Sequence, residues 1–249
     1  MYKTEKDLFP ELGRCIYPRR CPGCGEVISP DAFICPECNT RFKRIQPPYC
    51  MRCGRHTESE DDELCSECAS RNHAYTYGIA VFEYDELMRY SMSNFKFNGW
   101  RENADFYVHE TTERAAERIR AFAPSVIVPV PIHSSKRAYR GFNQTELLAD
   151  GIGQNLGIPV VKDLLLRARR TDAQKHLGLE LRRANLKHAF TCDIGRYDRA
   201  YIEQHFERVL LLDDIYTTGA TMENCTQALL AAGVAEVGIL SISVGRMYY

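Results

Sequence analysis

Hydrophobic positions along the 249-residue chain change texture near Ala74. Before it they are sparse and broken by Cys, Pro and Gly; after it they gather into runs whose periods alternate between those of strands and helices. Tyr77-Gly78-Ile79-Ala80-Val81-Phe82-Glu83-Tyr84 predicts a strand, and a helical stretch after it is punctuated by Phe95-Lys96-Phe97-Asn98-Gly99. Residues 111–122 predict a helix bounded by Pro124, and 125–131 a buried strand that its prolines end. Residues 146–156 place Leu147, Leu148, Ile152 and Leu156 near one helical face. A strand over 160–166, a buried strand at Val209-Leu210-Leu211-Leu212, a helix over 222–232 closed by Gly233 and a last strand over 237–244 complete the pattern. Strands alternating with helices imply an α/β fold with a parallel sheet and helices on both faces, preceded by a small cysteine-rich module. The expected division is residues 1–72 and 73–249.

The run at 209–212 stops at Asp213 and Asp214 and is followed by Ile215-Tyr216-Thr217-Thr218-Gly219-Ala220-Thr221 before the helical pattern begins. A strand buried on both faces puts the next residues at the carboxyl edge of a parallel sheet, where open α/β folds bind ligands. The threonine hydroxyls and a glycine-relaxed row of N–H groups suit an anion at a helix N-terminus. Two carboxylates do not favour that anion and call instead for hydroxyl donors, a metal-bound sugar or a developing cation. A phosphate beside a sugar diol suggests a ribose 5-phosphate. The plainer alternative is a strand edge with ordinary Asx and Thr caps.

These residues resemble the fingerprint of the type I phosphoribosyltransferases, whose substrate is phosphoribosyl pyrophosphate (PRPP). The resemblance implies that Asp213 and Asp214 hold the ribose 2- and 3-hydroxyls, while Tyr216, Thr217, Thr218, Gly219, Ala220 and Thr221 surround the 5-phosphate.

Composition bounds the answer without deciding it. With 45% hydrophobic and 26% charged residues and a net charge of −1, neither nucleic-acid nor membrane binding follows from overall charge. The start, Met1-Tyr2-Lys3-Thr4-Glu5-Lys6-Asp7, lacks the apolar core of a signal peptide, and no apolar run approaches a membrane span. A cytoplasmic location without membrane insertion is the expectation. There the eleven cysteines stay reduced, which favours metal ligation over disulfides.

Eight of them form four Cys-x-x-Cys knuckles: Cys21/Cys24, Cys35/Cys38, Cys50/Cys53 and Cys65/Cys68. Such a turn points two thiolates at one cation, and two turns complete the tetrahedron that structural zinc prefers. Two structural zinc sites are therefore predicted. Pairing neighbouring knuckles closes two short loops, while cross-braced pairing stays open. His56 and His73 are not needed as ligands. Cys15, Cys192 and Cys225 read as buried small hydrophobes, and zinc is expected to supply most of the module's folding energy.

Between the 125–131 strand and its helix lies His133-Ser134-Ser135-Lys136-Arg137-Ala138-Tyr139-Arg140-Gly141-Phe142-Asn143-Gln144. With Val128-Pro129-Val130-Pro131 before it, this stretch is closely similar to the signature of the ComF family of competence-associated, phosphoribosyltransferase-like proteins. Residues 171–177 and 182–190 match further blocks of that family, so the resemblance runs from Cys21 to the end.

The resemblance implies phosphoribosyl transfer, with magnesium bridging pyrophosphate and ribose oxygens and arriving on the PRPP. Lys136, Arg137 and Arg140 then become candidates for the leaving pyrophosphate. Residues 162–187 carry eight Lys or Arg against three Asp or Glu and sit where this fold carries a mobile hood. From it Arg169, Arg170, Lys175, Arg182 or Arg183 would reach in, with Arg182 and Arg183 as catalytic candidates beside Asp213 and Asp214; a solvated basic face is the alternative. Asn143 has the plain alternative of a helix cap, and Phe142 that of core packing. The acceptor is expected to meet residues 77–103.

Three functional classes stay open: a PRPP-using transferase, a PRPP or nucleotide sensor without chemistry, and a competence protein that holds single-stranded DNA or other competence proteins during natural transformation. Arg41, Phe42, Lys43, Arg44 and Tyr49 offer a small basic and aromatic DNA surface, explained equally well by linker packing. A glutaminase activity finds no support, because its N-terminal cysteine nucleophile has no counterpart in Met1-Tyr2.

Overall fold

The structure, a computed structural model, describes residues 18–167 and 189–245. Each cysteine-rich stretch ends in a short helix, α1 at Pro36–Arg41 and α2 at Ser66–Ala69. Pro36 suits the first turn of α1, since its missing N–H has no partner to lose there. Strand β1, Tyr77–Tyr84, leads into α3, Glu86–Phe97, and α4, Asn103–Phe122. Strand β2, Val126–Pro129, leads into α5, Ser134–Arg140, and α6, Gln144–Leu156. Then come β3, Leu165–Arg167, β4, Phe190–Cys192, α7, Arg199–His205, β5, Arg208–Tyr216, α8, Ala220–Ala232, and β6, Glu236–Gly245.

Four strands form one parallel sheet in the order β1-β6-β5-β2. Because all run the same way, the carboxyl ends of β1, β2, β5 and β6 share one edge. Alternation along β5 divides the core: Val209 and Leu211 join the α7 and α8 face, while Leu210 and Leu212 join the face covered by α3, α4 and α6. All four are fully buried, as expected of a central strand with helices on both sides.

The cysteine modules close the β1 edge. Ile45 N–H donates to Val81 O, Glu83 N–H donates to Lys43 O, and Gly78 N–H donates to Met51 O, so the connection between the modules pairs with a strand edge that would otherwise offer free amides. Packing is tightest at Gly78, where a Cβ would lie 2.1 Å from Arg52 O. The first module contributes Cys21, Cys38 and Phe42 to one core, and the second contributes Cys50, Cys53 and Cys68 to the other.

Three expectations change. The helix expected over 111–122 begins at Asn103, because Glu110, the polar residue that interrupts the apolar pattern, is buried against Arg44 and Arg114. The strand expected over 160–166 is not a core strand. Val160 makes a single parallel bridge to Ile127, and the chain then turns away, leaving Leu165–Arg167 to pair antiparallel with β4. Strand β5 does not stop at the acids either; its ladder with β6 continues through Asp213↔Ser241 to Tyr216↔Val244.

Candidate functional site

The two acids leave β5 toward different surroundings. Asp214 lies on the α3 and α6 side, where Lys96 Nζ is 2.9 Å from its Oδ1 and Gln144 Nε2 donates to its Oδ2 at 2.9 Å. Asp213 is half-buried, and its Oδ1 accepts the Asp214 N–H at 2.9 Å. Burial, followed by the neighbouring Asp214 charge, raises the Asp213 carboxyl to about 7, against the pull of Lys96 and Arg167. One acid is thus held inward by an ammonium and an amide, and the other is poised to gain or lose a proton near neutrality.

The turn after β5 is braced from below. Tyr216 is buried, and its hydroxyl lies 2.9 Å from that of Tyr75. Gly219 has φ +76°, and a Cβ there would sit 2.4 Å from the Tyr216 hydroxyl. The phenol therefore shapes the turn without facing a ligand, and Tyr216 can reach one only through its backbone. Thr217, Thr218 and Ala220 are exposed, whereas Gly219 is buried. Ala220 opens α8 and Thr221 lies in its first turn, so the free amides of that turn are available to an anion.

Helix α5 divides the three basic candidates between two directions. Arg137 pairs with Glu146 through both guanidinium nitrogens, at 2.9 and 3.2 Å, and so points to α6. Lys136 and Arg140, four residues apart, share a face. Partial desolvation lowers the Lys136 pKa, as does repulsion from Arg140, Arg167 and Lys96; burial also lowers that of Arg140, whose guanidinium lies 4.6 Å from the Phe97 ring. Like charges crowded at one sheet edge favour an anionic guest. Arg182 and Arg183, with Arg169, Arg170 and Lys175, lie outside the described residues.

Lys96, Gln144 and Arg167 are the residues that sequence reasoning missed or left undecided. Lys96 sits inside α3 rather than in a chain break, and the turn of that helix over the sheet edge brings it to Asp214. Asn143 is a cap, accepting the Thr145 N–H, and Phe142 packs beside Phe95 with Arg101 over its ring. Their plain alternatives hold. Phe42 is buried, Arg44 pairs with Glu110, and Tyr49 lies under Arg118 at 4.1 Å, so these linker residues serve packing.

The metal-type sites are separate from this edge. Cys21, Cys24, Cys35 and Cys38 bring their sulfurs within 4.8 Å of one another, as do Cys50, Cys53, Cys65 and Cys68. Neighbouring knuckles pair, not cross-braced ones. Four thiols at one point fit a tetrahedral divalent metal, and neither His56 nor His73 belongs to a set. No comparable oxygen cage occurs among the described residues. With both Asp214 oxygens occupied, the edge does not itself build a magnesium site. Cys225 is buried and Cys192 half-buried; Cys15 lies outside the described residues. No helix among the described residues is long and apolar enough to cross a membrane.

The family model for the double zinc ribbon domain matches residues 12–69. The chain is 27% identical over 233 residues to competence protein F of Haemophilus influenzae, covering 92% of this chain and 96% of that protein. It is 28% identical over 221 residues to competence protein ComFC of Streptococcus pneumoniae, with 85% and 88% covered. To the DNA utilization protein YhgH of Salmonella typhimurium it is 26% identical over 222 residues, with 88% and 87% covered. Among solved structures, glutamine PRPP amidotransferase from B. subtilis matches with a TM-score of 0.36 and 19% identity, covering 55% of this chain and 26% of that one. Adenine phosphoribosyltransferase from Leishmania tarentolae matches with a TM-score of 0.34 and 16% identity, covering 59% and 73%. Structural likeness of that degree identifies no substrate. Because the likeness to competence protein F runs through both the cysteine modules and the sheet rather than through either alone, the chain is similar over nearly its whole length to the competence proteins F and ComFC and carries a double zinc ribbon domain.

Proposed function

We propose that the protein binds PRPP at the carboxyl edge of β5 and acts in DNA uptake or nucleotide metabolism as a phosphoribosyltransferase-like protein of the ComF type. The observation that carries this reading is the sequence of groups along one edge: Asp213 and Asp214 at the end of β5, then the Thr217–Thr218–Gly219 turn at the start of α8, with Lys136 and Arg140 beside them. The turn takes the 5-phosphate through backbone amides and threonine hydroxyls. Asp213 accepts from the ribose diol, and Asp214, held by Lys96 and Gln144, fixes the strand end and its charge. Lys136 and Arg140 hold the pyrophosphate by charge-assisted hydrogen bonds; Arg137 is assigned to Glu146 and not to the ligand.

Transfer breaks the bond from ribose C1 to the pyrophosphate oxygen and forms one from C1 to an acceptor, with pyrophosphate leaving. Electrostatic stabilisation by the acids of a ring that becomes cationic is the contribution this edge can make. Any magnesium would be supplied bound to the PRPP, and the two four-cysteine sites would hold structural zinc. Arg182 and Arg183 complete the proposed machinery from the basic segment.

A second reading has no transfer: the protein senses PRPP or, as the relatives named for competence and DNA utilization favour, holds single-stranded DNA. Supplying labelled PRPP with candidate bases and amines separates the two. Pyrophosphate release with an acceptor supports the enzyme; tight binding with intact PRPP supports the sensor.

A further inference from the structure

On the outer side of the α8 turn lies a cavity of about 370 Å³, lined by Arg71, Asn72 and His73 opposite Thr218, Gly219, Ala220 and Glu223. One wall is the start of a 13-residue helix. The other is the segment that leaves the second cysteine module, three to five residues after Cys68. A helix start alone is weak evidence, but here a second feature points the same way. The His73 side chain is only 6% exposed, and its Nε2 is buried with no hydrogen-bond partner among the described residues.

His73 is held firmly. Its ring stacks on Tyr75 with centroids 4.8 Å apart, its carbonyl accepts from Arg52 at 3.0 Å, and its Nδ1 faces Glu223 Oε2 at 3.7 Å. Glu223 is fixed in turn by the Ala74 N–H at 3.0 Å. With Nδ1 toward a carboxylate, Nε2 is the nitrogen left for another partner. Arg71 lines the same cavity and is half-exposed, pairing with the buried Glu67 at 3.1 Å; Glu67 keeps Arg55 at 3.6 Å as a second partner when Arg71 turns to a guest.

We propose that this cavity is the outer half of the phosphate site, and that a phosphoryl group seated on the α8 turn is also held by Arg71 and His73 of the second cysteine module. The inference rests on the reading of that turn as a phosphate site, and it adds the cysteine module to the ligand's surroundings. Glu223 alone would repel an anion there; Arg71 supplies the opposing charge, and the buried His73 ring, whose pKa burial lowers, donates as a neutral imidazole through Nε2–H, since Nδ1 at 3.7 Å from Glu223 makes no hydrogen bond. The module then serves recognition as well as covering the β1 edge.

Calorimetric titration of the metal-loaded full chain with PRPP and, separately, with inorganic phosphate tests this on the wild type, Arg71→Ala, His73→Gln and, as a control on the first module, Arg41→Ala. The expected result is a roughly tenfold weaker affinity for both probes in Arg71→Ala and His73→Gln, corresponding to loss of one charge-assisted contact, with Arg41→Ala unchanged. PRPP binding of equal strength in the wild type, Arg71→Ala and His73→Gln overturns the inference and leaves the PRPP reading intact. Phosphate binding weakened by Arg71→Ala, with no PRPP binding by the wild type, supports the inference and overturns the PRPP reading. No binding of either probe overturns both. Arg71 is exposed, so its variant remains decisive if His73→Gln fails to fold.

Discussion

Lys96 Nζ on α3 lies 2.9 Å from Asp214 Oδ1 at the end of β5, with the two side chains 14% and 9% exposed. An ion pair this shielded is costly to break from one side, because the surviving charge keeps its desolvation penalty. Lys96→Met is expected to destabilise the protein by about 3–5 kcal/mol, measured as a shift in the urea midpoint. The Lys96→Met/Asp214→Asn double variant should lose less than the sum of the two single changes. Strict additivity would show that the pair does not interact.

Asp213 gives a pH signature. Its pKa is raised by burial, then by Asp214, to about 7, while in the unfolded chain it returns to the ordinary carboxylate range. Between those values the folded state holds a proton that the unfolded state has released, so this group's contribution to stability is full at low pH and is lost as pH rises toward 7. Urea unfolding from pH 4 to 8 should therefore show a declining component in the wild type that Asp213→Asn lacks. Parallel pH profiles for the two proteins would be the contrary result.

The turn at Gly219 makes a sharper structural prediction. Alanine there must adopt φ +76° and place its Cβ 2.4 Å from the Tyr216 hydroxyl, which Tyr75 holds in place. Gly219→Ala is expected to cost about 2–4 kcal/mol, read from thermal unfolding. In a Tyr216→Phe background, where the colliding oxygen is gone, the cost should fall. Equal costs in both backgrounds would mean that Tyr216 does not brace the turn.

How much of the fold and the site was legible in the sequence depended on whether the cause was local. The β5 apolar run, the Thr217–Thr218–Gly219 turn and the α8 helix are consecutive, so their roles follow from period and turn chemistry. The neighbouring knuckles were equally readable, since Cys-x-x-Cys spacing fixes where two thiols point. Lys96 was hidden because its role depends on how α3 crosses the sheet edge, and Gln144 because its partner is 70 residues away. Residues 160–166 differ for the same reason: their apolar character fits a strand, but after the single bridge from Val160 to Ile127 the chain leaves the sheet, and Leu165–Arg167 pair with β4 instead. Arg137 and Arg140 look alike in sequence, and only the facing Glu146 separates them.

The cysteine sites predict metal content and a structural consequence. Elemental analysis should find about two zinc ions per chain; one or none would contradict the assignment. Chelation should speed amide exchange at Gly78 and Ile45, whose N–H groups bond across the module and β1 edge, before the central β5 amides respond. Uniform exchange throughout the sheet would show that the modules and the sheet unfold as one unit.

The most direct test of the PRPP assignment is calorimetry of PRPP with magnesium against the wild type and Asp213→Asn/Asp214→Asn. The account predicts saturable binding by the wild type, with binding abolished in the double variant while circular dichroism shows that the variant is still folded. Unchanged PRPP affinity in the folded double variant would contradict it.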